Sequence, residues 1–151
     1  MLLAEALAER AEAQNRLKKL TERLGAVARV QEGDTPEEDP QALLEEAEAL
    51  FGTIEQLIRR INATNLNTAF DETRTLTDAI AQRDSALLKR RFYTQMADTS
   101  STRQDRFSRN EIRYVSALNV AELRAKADQA SKEYRLLDTR IQQLNWMTEL
   151  Q

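Results

Sequence analysis

The chain has 151 residues, 41% hydrophobic, 31% charged and 5% aromatic, with three glycines and two prolines; so few turn residues exclude a many-stranded sandwich or barrel and favour long helices. Cysteine and histidine are both absent, which removes zinc fingers, thiol or serine–histidine catalysis, iron–sulfur clusters and histidine-based di-iron sites. The 22 basic and 25 acidic residues leave a net charge of −3, so no global field draws the chain to nucleic acid or an anionic membrane.

The first predicted helix covers about residues 2–29. Leu3, Ala6, Arg10, Ala13, Leu17, Leu20, Leu24 and Val27 recur at alternating spacings of three and four, a narrow seam that is apolar except at Arg10. Charged Glu5 and Glu9 interrupt the stretch where a signal peptide needs an unbroken apolar core. No run approaches the ~18–20 apolar residues that span a bilayer, so the expected location is cytoplasmic.

An acidic loop at 31–39 holds Gly33 and Pro36 and leads to Pro40. The second helix is predicted over 40–61, with Asp39 as N-cap and Pro40 at the first helical position. Its seam is Leu43, Ala47, Leu50, Ile54, Leu57 and Ile61. Leu44, Phe51 and Ile58 widen the stripe, which predicts contact with more than one neighbour. The asparagine-containing stretch 62–73 predicts a break.

The third helix is predicted over 75–98, with Leu76, Ile80, Leu87, Leu88, Phe92 and Met96 as its apolar side. Segment 99–119 is a basic, irregular linker in which Ile112, Arg113, Tyr114, Val115 and Ser116 alternate like a short strand. Such a strand needs a partner elsewhere in the chain or in another subunit. The fourth helix, over 120–147, carries the most regular seam: Val120, Leu123, Ala127, Ala130, Tyr134, Leu137, Ile141 and Leu144, with Asn119 and Glu122 as a capping box.

Charge concentrates in two places. Glu32, Asp34, Glu37, Glu38, Asp39, Glu45, Glu46 and Glu48 stand without a base between them, a local −8. Residues 34–45 fail the EF-hand pattern because Pro36 and Pro40 occupy ligand positions and Asp39 replaces the turn glycine. Glu45, Glu46 and Glu48 are one residue short of the glutamate motif of all-helical nucleoside triphosphate pyrophosphatases. Acids gathered at a helix start are favoured by the helix dipole, and that is the reading adopted.

Between Lys89 and Arg113 the local balance is +4, with aromatics interleaved. Arg103, Arg106, Phe107, Arg109, Arg113 and Tyr114 are therefore the candidate binding residues for an anion, a nucleic acid or a protein partner. Pairing of this basic segment with the acidic one, within a molecule or across a subunit interface, is the first expectation. Asn62, Asn65, Arg83, Asp84, Asp105, Asp138, Arg140 and Trp146 are the expected structural polar network, with Trp146 as an interface or loop anchor. No catalytic residue, metal ligand or cofactor is predicted.

Several strings are more specific than a heptad: Val30-Gln31-Glu32-Gly33-Asp34-Thr35-Pro36, Ile61-Asn62-Ala63-Thr64-Asn65, Leu76-Thr77-Asp78-Ala79-Ile80-Ala81-Gln82-Arg83-Asp84, Arg103-Gln104-Asp105-Arg106-Phe107 and Leu137-Asp138-Thr139-Arg140-Ile141 before Trp146. Through them the chain resembles a small bacterial all-helical family of uncharacterised proteins often labelled septicolysin. The resemblance implies a helical fold and supplies no catalytic residues. The pore-forming activity in that label has no counterpart in the residues, which show neither an export signal nor a spanning helix nor long barrel-type strands.

These readings converge on an all-α single domain of four main helices in an antiparallel hairpin or bundle, with coiled-coil-like seams and a polar linker containing a short extended stretch. The expected function is a self-associating structural or interaction protein without catalytic activity, and the expected partner is a second copy of the chain. The alternatives are a nucleic-acid or anion binder through 103–114 and a magnesium-dependent hydrolase built from carboxylates alone.

Overall fold

A computed structural model describes residues 1–101 and 112–151. The fold is all-α, with four helices among the described residues: α1 (Leu3–Val27), α2 (Pro40–Asn67), α3 (Leu76–Ser100) and α4 (Val120–Met147). No strand occurs among the described residues; the only extended pairings there are isolated bridges, Leu2 with Glu149 and Ala69 with Thr75. The chain forms two compact units. One comprises Met1–Leu76 and Gln142–Gln151, the other Thr77–Ile141, so α4 runs through both.

In the first unit α1 and α2 pair antiparallel. Leu20, Val27, Leu43 and Ala47 form a buried cluster with Leu17, Leu24 and Leu50 packed against it, each large aliphatic side chain contributing about 1.5–3 kcal/mol of burial. Every predicted seam position of α1 is buried or half-buried, and Ala4 and Leu7 are half-buried beside it. Two ion pairs flank it: Arg16 Nε donates to Glu46 at 2.7 Å, and Arg23 Nε to Glu38 at 3.1 Å. Two of the eight acids after α1, Glu38 and Glu46, thus pair with α1's own arginines.

The turn between these helices follows from its residues. Gly33 has a φ of 90°, in the left-handed region that an L side chain adopts at a cost. Asp34 N–H closes the turn onto the Gln31 carbonyl at 3.0 Å. Asp39 then caps α2, accepting from Gln41 N–H at 3.0 Å, with Pro40 as first helical residue.

Asn62 and Asn65 lie inside α2, which continues to Asn67 instead of breaking after Ile61. Thr64 extends the buried seam by one more turn and is fully buried. The chain reverses at Asp71, whose carboxylate accepts from Thr73 and Arg74 backbone N–H at 3.0 and 2.8 Å and from Arg74 Nε at 2.8 Å. The guanidinium also lies 4.8 Å from the Phe70 ring centroid. The break is therefore eight residues, 68–75, held by one aspartate.

In the second unit α3 and α4 pair closely, and their bridging contacts fix an antiparallel register. Arg83 meets Asp138 near one end, and Arg124 meets Asp98 near the other. The seam of α4 is as predicted: Ala127, Ala130, Leu137, Ile141 and Leu144 are buried, the last in the first unit.

The predicted apolar side of α3 needs correction. Leu88 and Phe92 are exposed, and the helix instead buries Leu76, Ala79, Ala86 and Ala97, with Arg83, Arg90 and Tyr93 half-buried in the same three–four rhythm. Spacing outweighs side-chain size because a small residue on the seam lets two backbones approach closely.

Candidate functional site

Arg83 anchors the polar part of the α3–α4 seam. Its guanidinium donates to Asp84 at 3.0 and 2.9 Å and to Asp138 at 3.1 Å. Desolvation alone lowers its affinity for a proton, and the hydrogen bonds and charges of Asp84 and Asp138 outweigh that, leaving it above the ordinary arginine value. Of the predicted polar network, these three residues are the ones brought together. Arg90 lies 5.9 Å from the Tyr134 ring centroid and Lys126 5.7 Å from that of Tyr93, so two further cations of this pair cover aromatic faces.

The other predicted network residues with described positions are spread over α2 and α4. Asn62 is exposed and Asn65 half-buried on α2, Arg140 is exposed on α4, and Trp146 is exposed in the last turn of α4. Of the candidate binding residues, Arg113 and Tyr114 are exposed in an irregular stretch, not in the short strand predicted there. Arg103, Asp105, Arg106, Phe107 and Arg109 lie outside the described residues.

A second polar cluster was not anticipated from sequence. The buried Thr64 hydroxyl donates to the Arg60 carbonyl at 2.8 Å and accepts from Gln151 N–H at 3.0 Å. Arg60 Nε donates to the Gln151 backbone oxygen at 2.8 Å, and Asn67 Nδ2 to the Gln151 side-chain oxygen at 2.7 Å. Nearby, Leu3 N–H bonds the Thr148 carbonyl and Leu150 N–H the Met1 carbonyl, so segment 148–151 is fastened to both α1 and α2. The available signal was Thr64 itself, which falls on the α2 seam three residues after Ile61. Beside this clamp an open groove of about 670 Å³ runs along α2 past Gln56 and Arg59. Its charged groups are engaged: Arg59 pairs with Glu55 at 3.8 Å and Arg60 holds Gln151.

No three carboxylates among the described residues converge as metal ligands would. What the molecule does present is apolar surface. On the outer flank of α2, Leu44, Phe51 and Ile58 are 40%, 55% and 37% exposed at intervals of seven, so they form one row. Glu48 and Glu55 fall between them on the same face. Ile112, Tyr114, Val115 and Leu118 make a second exposed apolar group. No described helix is long and apolar enough to cross a membrane.

No curated protein matches the chain. A crystal structure of a functionally unknown conserved protein from Corynebacterium diphtheriae is similar over 100% of this chain and 99% of its own, at 54% identity and a TM-score of 0.94. Neither that protein nor the matching family carries the septicolysin label. The family match extends over residues 10–150, and the chain belongs to a family of unknown function, DUF6847.

Proposed function

We propose that this protein is a self-associating structural or interaction protein without catalytic activity, whose outer α2 face is its contact surface. The observation that carries the reading is the row Leu44, Phe51 and Ile58, three large apolar side chains exposed along one helix face. Large apolar side chains exposed in a row on one face, here with acids between them, are the kind of surface a partner covers. Two-helix seams built partly of alanine bury modest area per residue, so a subunit interface would offset part of the ordering entropy.

The charged residues in the described part serve the helix pairs. Arg16, Arg23, Arg83 and Arg124 each meet a carboxylate on the partner helix or the preceding turn. They support a role in register and pairing better than one in acid–base chemistry, which needs a nucleophile or metal beside them. Multi-angle light scattering across 1–100 µM tests the reading; an assembly larger than one chain is expected, and a folded, strictly monomeric protein over that range overturns it.

A further inference from the structure

Residues 112–116 have no regular secondary structure and lead into a bend at 117–118, with no ladder partner among the described residues. Ile112 and Tyr114 are 84% and 93% exposed, and Val115 and Leu118 are exposed beside them. Four large apolar side chains exposed within seven residues are unfavourable as surface. The stretch contains a single charge, Arg113.

The outer face of α2 has complementary properties. Read along that face it runs Leu44, Glu48, Phe51, Glu55, Ile58, apolar and acidic in alternation. Segment 44–58 contains Glu45, Glu46, Glu48 and Glu55 and no basic residue. Glu46 is taken by Arg16, but Glu48 has no hydrogen bond or ion pair among the described residues.

We propose that the arm 112–118 of one copy lies along the outer α2 face of a second copy. The arm's exposed apolar side chains cover the Leu44–Phe51–Ile58 row, and Arg113 meets Glu48. The exchange is reciprocal: a two-fold pair seats both arms, whereas a one-way contact would leave an arm and a row unfilled and propagate. The proposal rests on the self-association reading and names its contact.

Because the chain has no cysteine, disulfide trapping tests it without background. Gly52 lies next to Phe51, and a Cβ added there meets nothing within 4 Å, so Gly52→Cys leaves the apolar row intact. Ser116→Cys places a thiol at the middle of the arm and keeps its apolar side chains. An affinity-tagged Gly52→Cys protein is mixed with untagged Ser116→Cys protein, oxidised mildly and resolved under non-reducing conditions. Leu136→Cys, on the exposed side of α4, serves as the collision control, and native mass spectrometry of the unmodified protein gives the number of chains.

The mixed Gly52→Cys–Ser116→Cys disulfide is expected to exceed either variant's mixed product with Leu136→Cys by at least tenfold, in a two-chain assembly. A two-chain assembly in which Gly52→Cys links only to itself, or in which the mixed product is no more abundant than the control, overturns the arm exchange and leaves self-association standing. A single-chain mass for the unmodified protein overturns both.

Discussion

The two helix pairs solve the same packing problem with different materials. The α1–α2 seam is filled by Leu20, Val27, Leu43 and Leu57, and its ion pairs stay at the rim. The α3–α4 seam relies on Ala79, Ala86, Ala97, Ala127 and Ala130, places Arg83 with Asp138 in the seam itself, and sets cations over tyrosine rings. The first pair draws its stability from apolar area and the second from close backbone approach and satisfied polar groups. The second arrangement fixes register more tightly than it stabilises, since an ion pair must offset its own desolvation.

The largest expected effect comes from the aliphatic pair. Ile61→Ala, at a site 2% exposed, should cost about 2–5 kcal/mol, read as a lower urea midpoint at unchanged slope. A loss well under 1 kcal/mol would mean that the α2 seam collapses around the cavity. Next is the clamp: Thr64→Val keeps the shape but removes the acceptor of Gln151 N–H, and about 1–3 kcal/mol is expected from the orphaned group. Hydrogen exchange should show the loss first at 148–151.

In the alanine pair the polar anchor gives a smaller and asymmetric response. Asp138→Ala leaves Arg83 half-buried with only Asp84 and should cost about 1 kcal/mol, whereas Arg83→Met, which removes the charge together with its need for partners, should be close to neutral. Equal losses for the two substitutions would show that the pair is stabilising in itself.

The smallest effect is the acid limb. Hydrogen bonds from Arg74 hold the Asp71 carboxyl well below the usual carboxylate range, and the hydrogen bond from Arg23 lowers Glu38 in the same sense. A depressed folded-state value means that these groups contribute stability above the ordinary carboxylate range and lose it as pH falls through and below about 4. Asp71→Asn should flatten that decline in a pH series of urea midpoints and leave the neutral-pH slope unchanged.

The contrast between the pairs also explains what could be read from residues alone. The seams of α1 and α4 were legible because large or repeated apolar residues mark every step but Arg10 from Leu3 to Val27 and each step from Val120 to Leu144. On α3 the seam was hidden because its members are alanines, two arginines and a tyrosine, while conspicuous Leu88 and Phe92 face outward. Residues 62–67 looked like a turn because asparagine favours one, yet buried Thr64 and its bond to Gln151 carry the helix on to Asn67. That tie joins residues 87 apart in sequence, which no local pattern shows. Arg83, Asp84 and Asp138 were recognisable because charged residues fell on or beside apolar seams.

The widened α2 stripe was equally legible, and its members prove to lack a neighbour that fully covers them. The most direct measurement is light scattering of Phe51→Glu beside the unmodified protein at equal low-micromolar concentration, with circular dichroism to verify folding. The unmodified chain should assemble and the variant should run as a folded single chain. An unmodified protein that is itself monomeric, or a variant that assembles undiminished, would contradict the assignment of the outer α2 face as the contact surface.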